Sequence, residues 1–278
     1  MGRAKKRAIV IGLAAALVAA LALAAALFAA APPRSPLERD FGQFEPEGRF
    51  FSHVIANGSG IEIIRYAGGS EVVRIPPLIQ NLPVIAIGPS AFARSNISGV
   101  EIPDTVLTIG EEAFTRNRLT QVAIPGGVVH IGPGAFQANF IESVDIPSGV
   151  ITIENFAFAQ NSLSAVAIPG SVTRIGDRAF WHNQIAALDI AHGVADIGDR
   201  AFWRNIIEDV AIPGSVTRIG VGAFADNRLA SVAIPGSVAY IGDGAFARNR
   251  LAEAAVPGGA HVGSRAFDDD VAVSASLD

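Results

Sequence analysis

From Ile87 onward the apolar positions recur in identical blocks. Leu119, Val122, Ile124, Val128, Ile131, Ala135 and Phe136 return 22 residues later as Leu/Ile/Val/Phe/Ala at 141, 144, 146, 150, 153, 157 and 158. Within a block the period changes. Val122 and Ile124 alternate as a half-buried strand does. Pro125-Gly126 follows, with proline presetting the first turn torsion and glycine accepting positive φ. Residues 128–131 form a second extended piece, Gly132 breaks it, and a short helical (3-10/α) turn is expected up to Asn139. Asp177, Asp199 and Asp243 precede the Ala-Phe pair by two residues, where a carboxylate can cap the first N–H groups of such a turn. The frame isoleucines are 87, 109, 131, 153, 175, 197, 219 and 241, and Val262 opens a ninth copy one residue early. Self-similarity at this period predicts a mostly-β solenoid of about nine units, each with a short parallel strand, a second extended segment and a turn.

Stacking identical units brings equivalent residues into columns. Phe92, Phe114, Phe136, Phe158, Phe180, Phe202, Phe224, Phe246 and Phe267 form one, and an internal spine of nine rings is expected. Asn117, Asn139, Asn161, Asn183, Asn205, Asn227 and Asn249 form a second, replaced by Ser95 in the first unit. An amide both donates and accepts, so these side chains can satisfy backbone groups that the turns leave unpaired. Arg174, Asp196 and Arg218 fall in a third column and predict an alternating-charge surface ladder.

Outside the array the texture differs. Residues 50–86 hold short strand patterns broken by Gly/Asn/Ser and Pro clusters, and read as an N-terminal β cap over the open end of the core. Residues 87–270 are the repeats, and 271–278 a C-terminal edge strand or tail. Residues 32–49 carry prolines and charges and read as an extended linker. Residues 1–31 are a basic stub (Arg3, Lys5, Lys6, Arg7) followed by 24 uncharged residues, 8–31. As a helix this run is about 36 Å long, enough for a hydrocarbon core of ~30 Å. It therefore reads either as a signal peptide or as an uncleaved transmembrane signal anchor. Both leave the rest of the chain beyond the cytoplasmic membrane.

Charge and composition narrow the partners. Half the residues are apolar and 17% are charged, so burial is ample. The net charge is −5. Setting the four basic residues of the leader aside leaves 17 basic against 26 acidic side chains, a net of −9. That sign argues against nucleic acid. The chain has no cysteine, which excludes disulfides, thiolate metal sites and thiol nucleophiles.

The pattern Leu-x-x-Val-x-Ile-Pro-x-x-Val-x-x-Ile-Gly-x-x-Ala-Phe-x-x-Asn, nearly whole in LASVAIPGSVAYIGDGAFARN at 229–249, resembles the BspA-like (Treponema pallidum-type) leucine-rich repeats. The likeness covers about 50–270. It departs at Glu154, which replaces a glycine, at Asn155-Phe156, at Ala191, which replaces a proline, and at a deletion near Ala260. The resemblance implies a leucine-rich-repeat solenoid and a bacterial surface protein that binds host or other-cell components. It brings no catalytic residues, no cofactor and no metal.

Two surfaces are candidate binding sites. On the strand of each unit the residues flanking the buried Val point outward. This makes a flat, small-residue face with Glu101, Asp145, Asp189, Asp209 and Glu253 as anchors for a protein ligand. The same acids also suit a solvated sheet face that resists aggregation. Trp181 and Trp203, the only tryptophans, occupy equivalent places in adjacent units, with His182 and Arg204 beside them. Two indoles ~5–6 Å apart suit a sugar ring or an aromatic side chain, and they equally suit shielding of the turn. The functional expectation is a monomeric, non-enzymatic cell-surface or envelope binding protein for protein interaction or adhesion. A carbohydrate-binding or envelope-structural module is the alternative.

Overall fold

The computed structural model describes residues 43–55 and 58–276. The signal or anchor segment expected at 1–31 lies outside the described residues. The array is a mostly-β solenoid of about ten turns at a 22-residue spacing. Three ladders of backbone hydrogen bonds run along it.

Through the repeats, the longest ladder is built from the shortest strands. It starts with Phe50–Val54, which pairs antiparallel with Ile61–Tyr66. Ile61–Tyr66 then pairs parallel with Leu82–Ile87. Two-residue parallel strands follow in every later unit, from Thr108–Ile109 to His261–Val262. Each frame isoleucine pairs with the next, Ile153 with Ile175 and Ile175 with Ile197, so the register is the repeat itself. The strands that the apolar alternation marks more strongly form the more interrupted ladder. Val72–Arg74 pairs with Gly99–Glu101, Gln121–Ala123 with Ser143–Asp145, and Ala165–Ile168 with Ala187–Ile190. Beyond them come single bridges at Asp209, Ala211 and Ala233. Glu253–Pro257 and Ala272–Ser276 close this face, and the expected final edge strand is present.

The third ladder corrects an expectation. No helical turn follows the glycine; the only helical element among the described residues is the 3-10 turn Glu47–Arg49. The chain instead makes tandem turns through left-handed residues, such as Arg178 (φ 54°) and His182 (φ 56°). Alternate N–H groups point in different directions. Ala179 and Trp181 donate within their own rung, to Gly176 and Arg178 carbonyls at 3.2 and 3.1 Å. Arg178, Phe180 and His182 donate to the next rung, to Asp199, Ala201 and Trp203 carbonyls at 2.9 Å. A helix would direct all these donors along its own axis. Stacking offers half of them a partner in the neighbouring unit instead.

The same change moves the role of the aspartates. Without a helix start there are no helical N–H groups to cap. Asp177 Oδ1 accepts from the backbone N–H of Asp199 (2.9 Å), Asp199 Oδ1 from Val221 (3.0 Å), and Asp243 Oδ1 from Ser264 (2.7 Å). Each carboxylate ties its rung to the next. The glycine beside it lets the rungs approach. A Cβ on Gly198 would lie 2.7 Å from Asp177 N and Gly176 C, and backbone cannot yield there.

Inside, the phenylalanine spine is present. Successive rings from Phe114 to Phe267 lie 5.3–5.5 Å apart with interplanar angles of 1–13°. Phe92 stacks on Phe114 at 4.9 Å, and Tyr66 and Phe50 extend the column past it. Each stacked pair adds about 0.5–1.5 kcal/mol beyond burial. The asparagines do more than serve their own turn. Asn161 Nδ2 donates to Phe158 O in its own rung (3.1 Å) and to Phe136 O in the rung before (2.9 Å). Its Oδ1 accepts from Ile141 N at 3.0 Å. One buried amide therefore satisfies three backbone groups in two rungs, and the motif repeats at Asn117, Asn139, Asn183, Asn205, Asn227 and Asn249.

Candidate functional site

The interrupted strand face carries the predicted acids. One outward column reads Arg74, Glu101, Ala123, Asp145, Ala167, Asp189, Ala211. An acid therefore recurs on every second rung, about 10 Å apart at the usual strand spacing. Asp145 and Asp189 are exposed, as are Ala167 between them and Ala123 and Ala211 on either side. Glu101 differs: Arg74 Nε meets its Oε2 at 2.9 Å. Asp209 and Glu253 are exposed in the other outward column and do not share this row. The structure thus brings Glu101, Asp145 and Asp189 into one line and places the remaining two beside it.

On the long ladder the charge column forms as the pattern predicts, with one addition. Arg174 Nε and Arg218 Nη1 both meet Asp196 at 3.1 Å, and Arg218 Nη2 also reaches Asp199 Oδ1 at 2.9 Å. Burial works to lower the Arg218 pKa, but its hydrogen bonds to Asp196 and Asp199 prevail and hold it above the usual value. Asp199 thereby serves both the rung-to-rung N–H bond and this ladder.

The tryptophans meet. Trp181 and Trp203 stack with centroids 5.9 Å apart at 13°, both half-buried. Phe156 in the preceding unit meets Trp181 edge-on at 6.5 Å, and Arg178 lies 5.3 Å over Phe156. Arg204 lies 4.9 Å over Trp203, and His182 is tilted against Trp181 at 6.0 Å. Sequence reasoning did not include Phe156, which intrudes where the repeat departs from its pattern, nor Asp226. Trp203 Nε1 donates to Asp226 Oδ2, and Arg248 Nε meets Asp226 Oδ1 at 2.6 Å. The signal was available: Asp226 stands 23 residues after Trp203. The residue 23 after Trp181 is Arg204, a donor, and the Trp181 N–H is buried without an acceptor.

Among the described residues no group of three or more His, Asp or Glu side chains is placed to hold a metal ion. Among them, too, no helix is long and apolar enough to cross a membrane.

A family profile described as "BspA type Leucine rich repeat region (6 copies)" matches residues 85–205 and 152–273. The chain belongs to the BspA-type leucine-rich repeat family. Among solved structures, it is similar to the pneumococcal vaccine antigen PcpA, at 18% identity and a TM-score of 0.50 over 70% of this chain. It spans 58% of that protein's length. It is also similar to a leucine-rich repeat protein of T. pallidum, at 23% identity and a TM-score of 0.37, covering 77% of this chain and 86% of that one. A third is a leucine-rich repeat protein of Bacteroides ovatus, at 17% identity and a TM-score of 0.48, covering 81% and 80%. No curated protein sequence matches the chain. The BspA-type family is a repeat scaffold, and membership points to a protein-interaction role.

Proposed function

We propose that this BspA-type protein is a non-enzymatic binding protein of the cell envelope, exported by its apolar leader, that holds a protein ligand on its strand face. The observation that carries this reading is the alternation of exposed alanine and acid along Ala123, Asp145, Ala167, Asp189 and Ala211, in the column that Glu101 opens as an Arg74-paired acid. Small side chains let a partner surface approach the sheet closely. Regularly spaced carboxylates favour a basic partner surface and speed its encounter. The basic stub and the uncharged run at 8–31 support export. Pull-down from matrix and plasma protein panels with the full chain tests it. The set Asp145→Asn, Asp189→Asn, Asp209→Asn, Glu253→Gln should abolish capture. Glu101→Gln, whose carboxylate is already paired with Arg74, should change little. Unaltered capture by the four-residue set sinks the reading.

A second reading, carbohydrate binding at Trp181 and Trp203, is favoured by the stacking of these two half-exposed indoles on the outside of the array. If it holds, the double variant Trp181→Ala/Trp203→Ala loses glycan binding and keeps protein capture.

A further inference from the structure

Two columns of the turn face shrink together just beyond Trp203. The residue after the spine phenylalanine is Trp181, then Trp203, then Ala225 and Ala247, and finally Asp268. The residue two before it is Arg178, then Arg200, then Gly222 and Gly244, and finally Arg265. In these two columns two consecutive rungs therefore present only small side chains, between a wall of Trp203 with Arg200 and a wall of Arg265 with Asp268. The result is an open groove of about 830 Å³, with a floor of Gly222, Ala225, Gly244 and Ala247. Small-molecule sites run from about 300 to 1,000 Å³. Trp203 lines the groove and Trp181 does not. The second indole therefore supports the first from behind, while Asp226 fixes the Trp203 ring through its N–H.

Three guanidinium groups (Arg200, Arg248, Arg265) and three carboxylates (Asp243, Asp268, Asp269) line the same groove. Arg248 is paired with Asp226, Asp243 Oδ1 accepts from Ser264 N, and Asp268 accepts from the backbone N–H groups of Arg248 and Asn249, so these three offer a ligand only their remaining donors and lone pairs. The lining charge balances. A polyanion would meet the carboxylates, and a polycation the guanidinium groups. A neutral polyhydroxyl suits both, because each hydroxyl accepts from an arginine and donates to a carboxylate. The indole wall adds an apolar plane for the C–H face of a ring.

We propose that this groove is a binding site for a neutral oligosaccharide, with Trp203 as the stacking wall and the Arg and Asp side chains as hydroxyl partners. The proposal rests on the second reading above and moves the ligand from the indole pair to the groove beside it. It is independent of the strand face.

The test fills the groove without disturbing the rungs. Ala247→Trp continues the column in which Trp181 and Trp203 already fit. Gly244→Arg continues the column in which Arg178 and Arg200 already adopt φ of 54° and 56°, close to the 60° of Gly244. A Cβ on Gly244 meets nothing closer than 3.8 Å. The full-length protein and both variants are read on an array carrying neutral, sialylated and sulfated glycans, with thermal unfolding in parallel. The expected result is wild-type binding to a neutral glycan and a loss of about tenfold or more in each folded variant, about 1.4 kcal/mol or more. The strand-face amide set should leave that binding unchanged. The proposal is overturned if the wild type binds no neutral glycan, if it prefers charged glycans, or if both filled variants bind as the wild type does. Undiminished binding in the filled variants together with loss in Trp181→Ala/Trp203→Ala would return the ligand to the indole pair. Absence of glycan binding by every form would remove the carbohydrate reading altogether.

Discussion

Two stacks of aromatic rings among the described residues run one residue apart along the chain, the phenylalanine column and the tryptophan pair, and they obey different rules. The phenylalanine column is buried, near-parallel, and the same in every unit. The tryptophan stack has two members, lies half-exposed at 5.9 Å, and ends abruptly at Ala225. An interior position in a solenoid has its own copies as neighbours above and below, so whatever packs well once packs well everywhere. An exterior position has solvent on one side and is free to differ. Repetition in this chain therefore marks stability, and the places where a column changes mark candidate function.

The sharpest break of the comparison is in the spine. Phe180→Ala should cost about 3–5 kcal/mol, because the ring is fully buried and stacked on both sides. Phe267→Ala at the end of the column, stacked on one side only, should cost less. Urea titration of both variants checks the order; equal losses would show that the rings do not act as a continuous stack.

Next comes the amide column. Asn161→Ala strands Ile141 N, Phe136 O and Phe158 O in a buried site, and should cost about 2–4 kcal/mol. Asn249, half-buried near the last rung, should tolerate the same change with a smaller loss. Loss of cross-rung hydrogen-bond protection at Ile141 on hydrogen exchange would show that the defect spreads to the preceding unit, as the geometry requires.

Much of this was legible because a repeat states its register openly. The Phe and Asn columns, the frame isoleucines and the Arg174–Asp196–Arg218 ladder all follow from stepping 22 residues. The turn was misread because Arg178 and His182 carry no mark of a left-handed torsion, and over five residues an Ala-Phe turn looks helical. A quieter signal existed. Glycine recurs at 134, 222 and 244 in the very column that Arg178 and Arg200 occupy, which is where a chain needing positive φ would place it. The predicted acids split into one aligned row and two outliers, because outward columns alternate along a strand and the five residues were drawn from both. The groove depends on two columns shrinking in the same two rungs, a coincidence that reading one column at a time does not reveal.

A milder break concerns the surface charges. Asp196→Asn removes the carboxylate shared by Arg174 and Arg218. Both guanidinium groups are part-exposed, so the loss should be about 1 kcal/mol or less, and should shrink as salt is raised. Stability measured at low and high ionic strength checks it. A salt-independent loss would point to packing rather than charge.

The smallest expected effect is the most specific. Trp203 has an acceptor for its indole N–H because Asp226 stands 23 residues on; Trp181 lacks one because Arg204 stands there. Arg204→Asn should give Trp181 a neutral acceptor, and Arg204→Ala should not. Both variants lose the same arginine contacts, the 4.9 Å approach to the Trp203 ring and the 3.9 Å pair with Asp226. Position 204 is left-handed (φ 58°), a torsion that asparagine also accepts more readily than alanine, so the indole resonance, and not the stability difference alone, identifies the new hydrogen bond. Asn should be the more stable of the two by about 0.5–1.5 kcal/mol, and the Trp181 indole N–H resonance should move downfield in the Asn variant alone. If the two variants unfold together and the resonance stays in place, the orphaned donor is not what distinguishes the two indoles, and the contrast between them reduces to exposure.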